Sequence, residues 1–279
     1  MITAAEHWRQ QLEDWALPPD LLASVEASPY GWSRRVWKQK GERGLDPDAG
    51  SLTTNLVSEL AGPNGSVIDI GAGTGRASLP LVRRGHPVTM VEPNANMLAS
   101  LRELTQTLRR DNRPVEIVDG RWPEVENEVK PHRVAMSAHV VYDVAELVPF
   151  LEAMDGIAEA GVVIEMTPNH PWSSLRDLYW EFHQLARPPG PVTEDLVAVV
   201  IDLGREPQIQ RWNHPSDMVY ETIDEIVEMT GRRLVLPPAR WPELEERLRP
   251  RIVGAPGAYQ VGPLEREITT VWWRTGNSL

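Results

Sequence analysis

Val67-Ile68-Asp69-Ile70-Gly71-Ala72-Gly73-Thr74-Gly75-Arg76 is the stretch on which the fold turns. It begins as a short apolar run broken by one acid and continues into glycines at 71, 73 and 75. Apolar, β-branched residues followed by a glycine cluster read as a buried strand running into a tight turn. Glycine lets the backbone turn sharply and approach a ligand closely. A helix opening directly after such a turn points free N–H groups at whatever lies there. Arg76 to Arg84 reads as that helix, closed by Gly85.

The same rhythm continues downstream. Pro87 to Val91 reads as a second strand, and Asn94 caps a helix with Met97, Leu98, Leu101, Leu104 and Leu108 on one side. Pro114 to Val118, Arg133 to Ser137 and Gly161 to Met166 read as further strands, with a helix from Leu147 to Ile157. Strand–helix alternation at this spacing gives right-handed crossovers and a parallel sheet. From Thr167 to about Gly204 the rhythm breaks into prolines, tryptophans and two helical patterns. Gln208 to Trp212 and Ile268 to Trp273 read as a closing antiparallel pair, with helices at Ile223–Thr230 and Trp241–Leu248 between them.

Upstream, residues 1–62 read as helical. Trp8, Leu12 and Trp15 recur at i, i+4 and i+7 and predict one helix face. Trp32 to Lys40 predicts a helix carrying Arg34, Arg35, Lys38 and Lys40, then a loop over 41–50, then a helix from Ser51 to Leu60. The division expected is a helical cap segment at 1–62 and an α/β domain at 63–279, with a cap-like insert at about 167–204.

Composition narrows the function. The chain has 279 residues and 28 basic against 40 acidic side chains, a net charge of −12. A phosphate-binding groove needs a basic face, so nucleic acid is not the expected main partner. With 41% hydrophobic and 24% charged residues the chain has the makeup of a globular protein. There is no cysteine, which excludes disulfides, thiolate metal sites and a cysteine nucleophile. The amino terminus lacks a basic-then-apolar leader, and no apolar run approaches the roughly 20 residues of a membrane span. A cytoplasmic location is expected, with no membrane partner.

The glycine turn must be sorted between cofactors. A dinucleotide fingerprint wants G-x-G-x-x-G, but position 76 is Arg. Asp69, two residues before the turn, would repel a pyrophosphate and welcome an amino group. Glu92 follows the second strand, 17 residues past Gly75, where a carboxylate accepts from ribose hydroxyls. Together these point to an adenosine ligand with an amino-acid tail.

On these residues the chain resembles the class I S-adenosylmethionine-dependent methyltransferases, in particular their bacterial small-molecule branch, most clearly over 65–166. The resemblance implies a seven-stranded, mostly parallel, Rossmann-like α/β sheet with helical cap elements, and S-adenosylmethionine as cofactor. It implies that Asp69 meets the methionine amino group, that Gly71, Ala72, Gly73 and Gly75 form the backbone cradle, and that Glu92 with Pro93 holds the ribose. Ser137, Ala138 and His139, after the fourth strand, would line the methionine side. The family commonly carries an acid after the third strand for the adenine amino group. Here the segment is Asp119-Gly120-Arg121-Trp122, and Arg121 falls at that place. Either Asp119 substitutes, or Gly120, Arg121 and Trp122 hold the adenine by backbone and stacking.

The expected activity is in-line methyl transfer to a small-molecule acceptor. His139 is the candidate general base, and Trp32, Trp37, Tyr142, His170 and Trp172 are candidate acceptor contacts. Arg34 and Arg35 are read as a solvated helix face, with the cofactor carboxylate as the other reading. No ligand spacing supports a metal. An Asn/Asp-Pro-Pro-aromatic segment, the mark of relatives acting on base amines, is missing after the fourth strand. An RNA methyltransferase, a non-catalytic cofactor-binding scaffold and a nicotinamide oxidoreductase are the competing readings.

Overall fold

The computed structural model describes residues 2–26, 28–31, 34–46, 49–216 and 218–276. Seven strands form one sheet: β1 (Val67–Ile70), β2 (Val88–Glu92), β3 (Val115–Asp119), β4 (His132–Ala138), β5 (Ala158–Met166), β6 (Gln208–Pro215) and β7 (Glu265–Trp273). Their order is β3-β2-β1-β4-β5-β7-β6. The first five run parallel, and β7 pairs antiparallel with both β5 and β6. This is the mostly parallel sheet with a closing antiparallel pair that the sequence predicts. All of β1 and β2 is buried, as parallel strands covered on both faces must be.

Helices cover both faces. On one lie α1 (Ala4–Glu13), α7 (Leu147–Ile157) and α9 (Thr193–Asp202), burying Trp8, Ile68, Ile70, Leu151, Met154 and Val200 in one core. On the other lie α4 (Leu52–Ala61), α5 (Leu79–Arg83) and α6 (Ala95–Arg110), with Val57, Leu79, Leu101, Met90 and Val163. A third core joins Trp15, Leu17 and Val36 to α8 (Arg176–His183), α10 (Ile223–Arg233) and α11 (Trp241–Leu248). It draws on three distant stretches of chain, so local periodicity cannot announce it.

Two local readings are corrected. Trp8 and Trp15 do not share a helix face: α1 ends at Glu13, and Trp15 sits beyond it in the third core. A Thr3–Glu6 capping box opens α1, and the Trp8 indole N–H donates to the Val144 carbonyl at 2.8 Å, tying the helix to the loop after β4. The helix α3 (Arg34–Gly44) also runs on through residues expected to be loop. Glycine makes this packing possible: a Cβ at Gly41 would stand 2.5 Å from the Thr74 carbonyl oxygen. Thus α3 lies directly on the glycine turn, and the Thr74 hydroxyl donates to the Trp37 carbonyl at 2.7 Å.

Candidate active site

The glycine turn leaves β1 at the carboxyl edge of the sheet, where open α/β sheets bind ligands. Gly71, Gly73 and Gly75 have φ of +75°, +57° and +87°, a region that disfavours other residues. Gly71 is pressed against Val140 of the loop after β4, since a Cβ there would lie 2.4 Å from a Val140 methyl. At Gly73 a Cβ would meet nothing within 4 Å, so this part of the turn faces open space.

Two acids flank the turn and differ in how they are satisfied. Asp69 is 1% exposed, and neither carboxylate oxygen makes a hydrogen bond of good geometry. Burial pushes its pKa up to about 6, against the partial help of Ser78 and Arg76. Glu92, also buried, accepts from Gly73 N–H and Asn94 N–H at 2.8 Å each. Burial raises its pKa too, and those two N–H groups and Arg121 oppose the rise. Each oxygen of Glu92 keeps a further lone pair for a ribose hydroxyl. A buried carboxylate with no hydrogen bond of good geometry, beside an open glycine cradle, fits a ligand that brings its own ammonium group, as the methionine tail of S-adenosylmethionine does.

The third-strand segment is arranged differently from its sequence reading. Asp119 is exposed and pairs with Arg102 at 3.2 Å. Gly120 N–H donates to the Glu92 carbonyl at 3.3 Å, and Arg121 is exposed. Trp122 is not an open platform: its ring is 6% exposed in the first core, with its N–H on the Phe150 carbonyl at 3.3 Å. An indole followed by Pro123 and Val125 packs inward because apolar partners flank it there.

At the fourth-strand end, the Ser137 hydroxyl donates to the Ile70 carbonyl at 2.9 Å. His139 has φ +60° and donates its backbone N–H to the Glu165 carbonyl at 2.8 Å. Its Nε2 lies 3.3 Å from a Glu165 carboxylate oxygen, which Arg76 also contacts at 2.5 Å. Burial lowers the His139 pKa against the pull of Glu165. Burial alone would raise Glu165, yet Arg76 and then His139 outweigh it and hold the carboxyl well below the usual range. Arg76 and Glu165 are site residues whose pairing with His139 the sequence does not announce; from sequence, Glu165 could be read only as a metal ligand with His139 and His170, without supporting spacing. The available signal was an acid inside the apolar strand Val162-Val163-Ile164-Glu165-Met166.

The proposed acceptor contacts divide. Trp32 lies outside the described residues. Trp37 sits beside the glycine turn, with the Lys40 ammonium 4.7 Å from its ring centre. Tyr142 is buried, and its hydroxyl bonds Thr167 Oγ1 at 2.6 Å; burial raises its pKa. His170 stacks on Trp15 at 4.2 Å and meets Tyr142 and Trp172 edge-on. Its pKa falls to about 3, through burial and then Arg187, so the ring stays neutral. Trp172 stacks on Tyr30 at 5.7 Å. Tyr142, His170 and Trp172 therefore form one aromatic cluster with Trp15 and Tyr30, whereas Trp37 stands at the cofactor turn. Arg35 reaches across to Glu225 and to Glu221 at 3.3 Å, joining α3 to α10.

The comparisons agree with this geometry. A family described as a methyltransferase domain matches residues 68–164. Among solved structures, the YcgJ protein of Bacillus subtilis shares the fold with a TM-score of 0.52 at 14% identity, covering 81% of this chain and 99% of its own. A candidate methyltransferase of Bacillus halodurans C-125 gives 0.50 at 14% identity, covering 82% and 100%. A structure concerned with converting a disulfide into a thioacetal in echinomycin biosynthesis gives 0.50 at 12%, covering 84% and 86%. No curated protein matches the sequence significantly. Residues 68–164 are a methyltransferase domain, and the strand order and glycine turn are those of the class I S-adenosylmethionine-dependent methyltransferase fold. S-adenosylmethionine is its cofactor.

Proposed function

We propose that the enzyme methylates a small molecule held between the carboxyl edge of the sheet and the cap. The observation that carries this reading is the enclosure. The helix α3 lies on the glycine turn, Val140 of the loop after β4 packs on Gly71, and Tyr142 of the same loop joins Trp15, Tyr30, His170 and Trp172 in one aromatic cluster. Such a cover suits a compact acceptor, and the net charge of −12 is unfavourable for a polyanion.

The proposed roles follow from position. Asp69 takes the ammonium of the cofactor, Gly71, Ala72, Gly73 and Gly75 the chain that bears it, and Glu92 with Pro93 the ribose. Gly120 and Arg121 lie beside Glu92 on the adenine side, and Ser137 and Ala138 lead the chain to His139. When bound, the cofactor supplies a methyl carbon made electrophilic by its sulfonium. The protein's task is to align the acceptor with that carbon and exclude water. Transfer of that methyl to an acceptor oxygen or nitrogen would leave the C–S electron pair on sulfur. His139, half-buried and with its pKa lowered, receives the acceptor's proton and passes it to solvent.

A radiolabelled methyl-donor assay tests the reading, with pooled small-molecule extracts and bulk RNA as competing acceptors. Label appearing in the small-molecule fraction supports it. Label in RNA, with salt-sensitive RNA binding, replaces it with the RNA methyltransferase reading.

A further inference from the structure

Glu165 is the one acid in an apolar run of β5, and it is 1% exposed. A buried carboxylate needs cationic or donor partners. It finds two cationic or ring partners at one oxygen, Arg76 at 2.5 Å from the turn after β1 and the His139 ring at 3.3 Å from the loop after β4, and the Thr53 hydroxyl supports it as well. A carboxylate oxygen accepts only from a protonated nitrogen, so this contact selects the imidazole tautomer with hydrogen on Nε2. The basic lone pair then sits on Nδ1, which has no partner among the described residues. The backbone supports the same placement. His139 adopts a left-handed φ of +60°, unusual for a residue with a side chain, and its N–H is fixed on the Glu165 carbonyl.

We propose that Glu165 is a positioning residue for methyl transfer: it fixes the His139 ring with Nδ1 presented as the base, while Arg76 shares its charge so that the ring is not held as an imidazolium. The inference rests on the reading of His139 as the base. The charged groups facing the ring are Glu165 on β5, Arg76 beside the glycine turn and Lys40 on α3. Glu165 alone favours the protonated ring; burial, Arg76 and Lys40 oppose it. An acceptor O–H or N–H bond breaks as its new bond to the methyl carbon forms, and the proton ends on Nδ1.

The test is a ¹⁵N-detected titration of the histidines in wild type, Glu165→Gln and Arg76→Met, with the His139 signal identified by its loss in His139→Asn. Wild type is expected to show a neutral ring at pH 7, protonated on Nε2. Glu165→Gln keeps an oxygen for Arg76 but removes the charge, so the His139 titration moves to lower pH. Arg76→Met moves it to higher pH. In turnover, Glu165→Gln should lower kcat by about 10- to 100-fold through lost alignment. The acidic limb of its pH profile should shift down, while S-adenosylhomocysteine affinity changes less than about threefold. A ring protonated on Nδ1, shifts in the same direction in both variants, or unchanged kcat in folded Glu165→Gln overturns the proposal. The wild-type tautomer decides the point even where a variant fails to fold. A correct titration without methylation of any acceptor counts against His139 as the base and leaves the Glu165 contact standing.

Discussion

Asp69 and Glu165 end two strands of the same sheet, each with 1% exposure, yet their carboxyls behave in opposite ways. Each follows by two residues a valine of the second core, Val67 and Val163, so strand alternation puts both on one face. Glu165 touches Arg76 and His139 and is held well below the usual carboxylate range. Asp69 has no hydrogen bond of good geometry and rises to about 6. Equal burial gives opposite titration because partners, not depth, decide it. An acid paired within the protein builds the site. An acid without such partners is driven towards its neutral form.

The largest expected effect concerns the paired side. His139→Ala should cut turnover by about 10²–10⁴-fold, with little change in cofactor affinity, if this ring takes the acceptor's proton. Steady-state kinetics beside a binding titration separate the two. Next, Glu165→Ala takes from the partly exposed Arg76 its contact with this carboxylate. It should cost about 1.5–3 kcal/mol of stability, the range for charged hydrogen bonds, read by denaturant unfolding. A loss below about 1 kcal/mol would mean that Glu165 is not the anchor described.

On the unpaired side the sign reverses. The Asp69 pKa rises from its ordinary 3.8 to about 6 on folding, so charging it opposes the folded state at neutral pH. The stability it supports is full below about pH 4 and is lost as pH rises through 6. Asp69→Asn removes that burden. At pH 8 it should stabilise the ligand-free protein by up to about 3 kcal/mol, at 1.36 kcal/mol per pH unit, with no gain near pH 4. The same variant should lose cofactor binding, so stability and function part at this residue. Smaller still, Glu92→Ala should weaken S-adenosylhomocysteine binding by about 1.5–3 kcal/mol, as expected for charged hydrogen bonds to ribose. Unchanged affinity in a folded variant removes Glu92 from the ribose role.

Much of the unpaired side was legible in the sequence, because its elements are consecutive. A strand, an acid, three spaced glycines and a second-strand acid lie within 26 residues, from Val67 to Glu92. The paired side was not, since Arg76, His139 and Glu165 meet only when β1, β4 and β5 align. The tryptophans mislead for the same reason. Trp15 looks like a helix-face partner of Trp8 until α1 ends at Glu13, and Trp122 looks like a platform until α7 offers the Phe150 carbonyl. Local spacing carries a turn; it does not carry a contact made across the sheet.

Calorimetric titration with S-adenosylhomocysteine at pH 8, 6 and 5, in two buffers of different ionisation enthalpy, tests the central claim most directly. The claim is that Asp69 is an empty seat for the cofactor's ammonium. Binding should be tightest at pH 8 and weaken towards pH 5. Near pH 6 it should release part of a proton, as the carboxyl gives up its hydrogen to meet the ligand, and Asp69→Asn should abolish that release. Affinity independent of pH, with no proton release in wild type, would contradict the account.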